Sequence, residues 1–164
     1  MRSFIFTLLA AVSLTGTAYA ADTGKGDLVL QVGDFSIGRD SAHETVEGGL
    51  EYRFPDQYYG LRPTVGILGN ADGAMYGYAG INWDLPIKSI EPIVITPGVK
   101  VGAYSRGDSK DLGYGVEFHD SIEVTYKFDS GQRVGAALAH MSNASLGNKN
   151  PGTEIVQAVY SLPF

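Results

Sequence analysis

The chain has 164 residues, carries a formal net charge of −6 and contains no cysteine. Its acidic and basic residues are scattered without a Lys/Arg block, so the sequence lacks the basic patch with which proteins bind nucleic acids. The lack of cysteine excludes disulfides, thiolate metal sites and cysteine nucleophiles. The 22 glycines and 10 tyrosines, with many Val and Ile, favour strands and turns over helices.

The first twenty residues have the pattern of a secretory signal peptide. Arg2 supplies the positive start, residues 4–14 form an apolar core, and Ala18-Tyr19-Ala20 is a small-x-small cleavage motif. A membrane anchor is the weaker alternative, because the apolar stretch is shorter than the ~20 residues that a spanning helix needs. We therefore expect a signal peptide at residues 1–20 and a single domain at 21–164, since roughly 144 residues are too few for two ordinary domains.

After the signal segment, turn signals recur at short intervals and the runs between them alternate apolar and polar residues. This pattern predicts eight strands, near residues 27–37, 44–54, 61–70, 74–85, 92–105, 113–128, 131–142 and 153–164. An even number of antiparallel strands can close without an exposed edge. The predicted fold is therefore an all-β, eight-stranded antiparallel barrel.

The sixth predicted strand shows most clearly that one face is apolar and the other polar. From Tyr114 to Phe128 the even positions are apolar apart from Asp120, whereas Glu117 and Glu123 lie on the odd face. A soluble barrel would turn the apolar face inward and a membrane barrel would turn it outward, so the alternation alone leaves both open.

The last predicted strand distinguishes the two kinds of barrel. It carries Val156, Ala158, Tyr160 and Leu162 on one face and ends on Phe164, an aromatic ending typical of outer-membrane barrels. With the signal peptide and the tyrosines near strand ends, it favours a transmembrane barrel of the bacterial outer membrane.

Three polar residues interrupt the outward face of the last predicted hairpin. His140 and Ser142 lie two residues apart on the seventh strand, and Glu154 follows the loop that this topology makes extracellular. Ionisable groups that face hydrocarbon are rare and usually functional. A base, a hydroxyl and a carboxylate together fit the logic of a serine hydrolase, which depends on geometry and not on chain order. The alternative interpretation is three polar residues at the headgroup rim, where they cost little.

The same segment resembles a known family. His140-Met141-Ser142-Asn143, then Asn150-Pro151-Gly152-Thr153-Glu154 and a terminal Pro163-Phe164, is similar to the lipid A 3-O-deacylase family called PagL, most densely from about residue 118 to 164. The resemblance implies an outer-membrane esterase that removes the acyl chain ester-linked at position 3 of lipid A. It also implies that His140 is the general base, Ser142 the nucleophile and Glu154 the triad acid.

Further site residues follow from the resemblance. Asn143 and Asn150 match the loop asparagines of the family and are candidates for the oxyanion hole, although asparagine is also a common turn residue. Phe118 and Asp120 are candidates for substrate binding, with Asp120 matching an acidic position that follows a phenylalanine. A mistaken strand register, or a partner in the loops, is an open alternative for Asp120.

No cofactor and no required metal are expected, because the histidines lie on opposite faces or distant strands. A Ca²⁺ requirement through loop acids such as Asp108 and Asp111 stays open at this point. The expected partners are lipid A or lipopolysaccharide as substrate and the lipids of the outer membrane, with the protein a monomer or homodimer. Two alternatives remain: an outer-membrane phospholipase with the same triad, and a non-catalytic structural barrel.

Overall fold

The structure is a computed structural model that describes residues 24–38 and 43–164. The predicted signal peptide at residues 1–20 lies outside these ranges and stays a prediction. Within them the chain forms nine strands and one short 3₁₀-helix, Lys88–Ile90. The strands are β1 (Asp27–Phe35), β2 (Thr45–Arg53), β3 (Leu61–Asn70), β4 (Met75–Trp83), β5 (Leu85–Pro86), β6 (Ile93–Ser105), β7 (Val116–Lys127), β8 (Arg133–Ser142) and β9 (Thr153–Pro163).

Eight of these strands close into an antiparallel barrel, as the sequence predicts. Each long strand pairs with the next along the chain, β4 pairs with β6, and β1 pairs with β9 to complete the ring. The two-residue β5 only adds a short pairing with the first residues of β6. Closure leaves no long sheet edge unpaired, so the backbone groups of the wall are satisfied within the sheet.

Several strand ends differ from the predicted ones by two or three residues, and left-handed backbone explains three of them. β1 stops at Phe35 because Ser36 has φ +66°, and β7 and β8 begin after Gly113 (φ +92°) and Gly131 (φ +86°). A positive φ turns the chain out of the extended conformation, so pairing ends there.

The apolar face points outward, as the membrane interpretation requires. On β7 the even residues Phe118, Ile122 and Val124 are exposed, while the odd residues Glu117 and Glu123 are buried inside the barrel. The same alternation holds on the other long strands, with exposed aliphatic and aromatic side chains around the whole wall. This inversion of the soluble pattern is typical of a barrel that spans a membrane.

The interior is held by ion pairs and hydrogen bonds. Arg53 donates from Nε to Glu51 (2.6 Å) and from Nη2 to Glu123 (2.7 Å). Elsewhere in the interior, Arg133 pairs with Asp84 at 2.8 Å. Buried charges of this kind are tolerated because each has a partner of opposite sign.

Residues 36–38 and 43–44 and the loops 71–74, 106–115 and 143–152 lie at one end of the barrel, which we call the upper end. The chain enters β1 and leaves β9 at the opposite end. In the part of the chain that the structure describes, no helix is long and apolar enough to cross a membrane.

Candidate active site

The predicted site residues lie together at the upper end of three adjacent strands. His140 on β8 is in register with Asp120 on β7 and with Glu154 on β9, so the three form one row across the outer wall. The next outward row toward the loops pairs Phe118 of β7 with Ser142 of β8. The register of β7 and β8 therefore excludes a register error at Asp120.

His140 and Glu154 form the polar contact at the centre of the site. The Nδ1 atom of His140 lies 3.2 Å from Oε1 of Glu154, in range of an N–H···O hydrogen bond. The two side chains are 43% and 37% exposed on the outer wall. If Nδ1 donates to the carboxylate, Nε2 is the ring nitrogen that can accept a proton.

Ser142 lies two residues along the same face of β8, where neighbouring outward side chains project side by side. Its Oγ has no hydrogen-bond partner among the described residues. The hydroxyl is therefore unengaged and lies on the same face of β8 as the imidazole of His140. Catalytic hydrogen bonds often tighten only when substrate binds.

The two candidate asparagines have different surroundings. Asn143 is fully buried, and its Nδ2 donates to the carbonyls of Leu112 and Lys149, both at 2.8 Å. Its Oδ1 accepts from the Ser145 amide at 2.9 Å. All hydrogen-bonding groups of this side chain thus serve the loop.

Asn150 instead keeps a donor available. Its Oδ1 accepts from the backbone amide of Asn143 at 3.0 Å, which orients the side chain. Its Nδ2 has no partner among the described residues, and the residue is exposed. Of the two asparagines, Asn150 has an unengaged amide N–H that an anion could accept.

A shallow apolar groove of about 470 Å³ begins at the His140–Glu154 pair and runs down the outer wall. Ile37, Ile122 and Leu138 contribute its apolar surface, and Asp120 lies at its edge beside His140. The groove leads from a polar end at His140 and Glu154 to the apolar outer wall. Most of its surface is apolar, so it can accept an apolar chain beside the polar pair.

Comparison with known proteins identifies the family. The sequence profile of the family described as Lipid A 3-O-deacylase (PagL) matches residues 47–163. The chain belongs to this family. The resemblance seen in the last hairpin is thus confirmed over most of the barrel.

Two relatives illustrate this PagL similarity. The Lipid A deacylase PagL of Pseudomonas aeruginosa is 39% identical over 78 residues, which cover 46% of this chain and 44% of that protein. The Lipid A deacylase PagL of Bordetella bronchiseptica is 30% identical over 76 residues, covering 45% and 43%. The matched segment therefore spans less than half the length of either relative.

Solved structures support the barrel fold. The crystal structure of the outer membrane enzyme PagL superposes with a TM-score of 0.60 at 24% identity, covering 84% of this chain and 99% of that one. A de novo designed transmembrane β-barrel superposes with a TM-score of 0.54 at 14% identity, covering 86% and 96%. Family membership, the closed barrel and the apolar outer wall together identify an outer-membrane protein.

The sequence predicts only a turn at Gly152, but in this PagL-family chain the residue lies at the candidate site. It has φ +62°, and a Cβ on it would lie 2.9 Å from Cε1 and 3.4 Å from Nε2 of His140. The backbone of the last loop thus packs directly against the imidazole. The Asn-Pro-Gly motif signalled a turn, but nothing in the sequence showed which side chain the turn contacts.

The loop acids considered for Ca²⁺ are arranged differently from a metal site. In residues 24–38 and 43–164, no group of three or more His, Asp or Glu side chains is positioned to hold a metal ion. Asp111 accepts from Lys149 Nζ at 2.7 Å and from the Gly113 amide at 2.9 Å. Its carboxylate is therefore used by protein donors.

Proposed function

We propose that this protein is a lipid A 3-O-deacylase, an esterase that hydrolyses the acyl chain ester-linked at position 3 of lipid A in the outer leaflet. The observation that carries the proposal is the His140–Glu154 contact of 3.2 Å beside Ser142, on the lipid-facing wall at the loop end. Membership of the PagL family and the names of the relatives indicate that the ester is one in lipid A. Lipopolysaccharide occupies the leaflet that this end of the barrel would face.

In the proposed reaction, Ser142 Oγ attacks the ester carbonyl and passes its proton to His140 Nε2. Glu154 holds Nδ1–H, which fixes the tautomer and stabilises the imidazolium. The bond to the sugar 3-oxygen then breaks, and His140 returns the proton to that oxygen. Water, deprotonated by His140, next attacks the acyl-serine, which releases a fatty acid and restores Ser142. No cofactor takes part in these steps.

The negative oxygen of the tetrahedral intermediate needs donors, and each is worth about 2.7–4 kcal/mol in the barrier. We assign this role to Nδ2 of Asn150, because its Oδ1 is fixed by the Asn143 amide while its N–H groups stay unengaged. Asn143 supports the site by tying the last loop to Leu112 and Lys149. This choice between the two candidate asparagines rests on their hydrogen bonds alone.

Phe118 and Asp120 are proposed to contact the substrate. Phe118 is exposed directly opposite Ser142, where its ring would lie along the acyl chain near the ester. Asp120 is opposite His140 and has no hydrogen-bond partner among the described residues. A carboxylate facing the membrane needs such a partner, and a hydroxyl of the acyl chain or sugar would provide it.

The direct test is mass spectrometry of lipid A after expression of the wild type and of Ser142→Ala in a host without the activity. Wild type should remove one acyl group from lipid A, and Ser142→Ala should leave lipid A intact. The variant must still show the heat-modifiable migration of a folded barrel, which separates lost chemistry from lost folding. Identical lipid A spectra from the two strains would refute the proposal, and fatty acid released from phospholipid alone would identify a phospholipase instead.

A further inference from the structure

A second concave site lies among the loops at the upper end. It is a cavity of about 400 Å³ between the loop that follows β6 and the loop that follows β8. Its charged lining comprises three cationic residues, Arg106, Lys110 and Lys149, and two acidic ones, Asp108 and Asp111. We call this cavity the cationic cradle.

Two of the cations share one carboxylate. Lys149 Nζ lies 2.7 Å and Arg106 Nη1 3.5 Å from the same Oδ2 of Asp111. The side chains of Lys149 and Arg106 are 61% and 60% exposed, so a ligand in the cavity can reach both. One negative charge between two cations leaves positive charge for an incoming anion.

Lys110 lies deeper in the same cavity. It is buried, and its Nζ is 3.4 Å from the hydroxyl of Ser36. No carboxylate pairs with it within the described parts of the chain. Among the described residues the hydrogen-bond partner of this buried ammonium is a hydroxyl, an arrangement that favours binding of an anion beside it.

Asp111 stays ionised in this arrangement. Hydrogen bonds from Lys149 Nζ and from the Gly113 amide hold the pKa of its carboxyl below the usual value. Asp111 therefore acts at neutral pH as a charge that organises Arg106 and Lys149 and competes with any ligand for them.

The cationic cradle and the candidate active site lie on two sides of the same short segment. Asn143 donates to the carbonyls of Leu112 and Lys149, which joins the two loops of the cavity. Three residues after Lys149, Gly152 packs against the His140 ring. Pro151 lines the cradle and the adjacent Gly152 contacts His140, which lines the apolar groove, so the two cavities are joined by this segment.

We propose that Arg106, Lys110 and Lys149 form a binding site for a phosphate group on the sugar headgroup of the lipid being deacylated. The inference rests on the proposed function and deepens it, because it names the headgroup feature by which the protein would recognise its substrate. Guanidinium and ammonium groups are the usual protein partners of phosphate. The order of apolar groove, candidate active site and cationic cradle matches the order of acyl chain, ester and phosphorylated sugar in lipid A.

The test compares purified wild type with Arg106→Gln and Lys149→Gln on bis-phosphorylated lipid A and on enzymatically dephosphorylated lipid A. Each substitution should raise KM for the phosphorylated lipid roughly two- to fivefold, the range expected for an exposed charge pair. It should leave kcat, and KM for the dephosphorylated lipid, within twofold. Lys25→Gln, exposed near the start of β1 at the other end of the barrel, is the matched control and should change neither constant.

Asp111→Asn separates binding from loop stability. The amide retains an oxygen for the Gly113 N–H but removes the charge that competes for Arg106 and Lys149. Phosphate binding therefore predicts a lower KM for phosphorylated lipid A, opposite in sign to the two cation variants. If the charges only stabilised the loops, all three variants would impair both substrates alike, and that result would overturn the inference.

Binding to the inert Ser142→Ala protein keeps the inference distinct from the proposed function. If wild type releases fatty acid from neither lipid, the proposed function fails, yet the cradle still predicts tighter binding of phosphorylated than of dephosphorylated lipid A in nanodiscs. The preference should disappear in Ser142→Ala combined with Arg106→Gln and Lys149→Gln. Equal binding of the two lipids by Ser142→Ala would refute the phosphate site.

Discussion

Replacing Gly152 with alanine tests whether the last loop positions the imidazole of His140. The new Cβ would lie 2.9 Å from Cε1 and 3.4 Å from Nε2, whereas carbon atoms in contact prefer about 3.5–4.0 Å. The Met141 carbonyl oxygen also lies 3.4 Å from this Cβ, so the new atom has little free space. The ring must therefore shift by roughly half an ångström or more away from Gly152.

Two costs follow from this substitution. Alanine at φ +62° loses about 1–2 kcal/mol of stability relative to glycine, because its Cβ approaches the following carbonyl. Displacement of the imidazole acts on the reaction instead, and a misplacement of about 1 Å can cost 100-fold in rate. We expect kcat for fatty acid release to fall about 10- to 100-fold with KM within about twofold.

Gly73→Ala is the matched control for this experiment. Gly73 has φ +82° and lies in a loop of the same end, but a Cβ on it would meet nothing within 4 Å. It should lose a similar amount of stability in urea unfolding while keeping the wild-type kcat. If Gly152→Ala matched Gly73→Ala in both stability and kcat, contact with His140 would not position the ring and the reasoning would be refuted.

Asn150→Ala should lower kcat about 10²- to 10³-fold with little change in unfolding, as the loss of one oxyanion donor does. Asn143→Ala should instead lower the urea midpoint, because it leaves buried backbone groups without partners at about 1–3 kcal/mol each. If Asn143→Ala lowered kcat and Asn150→Ala lowered the urea midpoint, the roles of the two asparagines would have to be reversed. Arg53→Met should destabilise the barrel by about 3–5 kcal/mol in urea unfolding, because Glu123 and Glu51 lose a buried partner. An unchanged unfolding midpoint for Arg53→Met would contradict the role given to the interior network.

The outward face of the site could be predicted because strand periodicity is strict. Side chains alternate between two environments every residue, so one apolar row on β7 determined the facing of Phe118 and Asp120. The same parity put His140, Ser142 and Glu154 on the outer wall. Parity alone does not give their neighbours across the sheet. The register of β7 with β8 pairs Asp120 with His140.

The loop contacts could not be predicted in this way. Loops have no period, and their hydrogen bonds join residues whose separation in the sequence carries no signal. Asn143 and Asn150 look equivalent as turn residues, yet one is buried with every polar group engaged and the other is exposed with a donor unengaged. Only the three-dimensional path of loops 106–115 and 143–152 brings Lys149 to Asp111 and Gly152 to His140.

The polar interior connects the strands that carry the candidate site to the opposite wall of the barrel. The imidazole of His140 has no protein core on its outward side, so its geometry depends on the strands that carry it. Behind those strands, Arg53 ties β2 to Glu123 on β7, and Tyr78 donates to Glu51 at 2.9 Å. These contacts cross the barrel and fix β7 relative to the opposite wall. In the proposed reaction, a lipid that approaches sideways from the membrane would meet groups already held by these strands, and prearrangement of this kind gives electrostatic catalysis its strength.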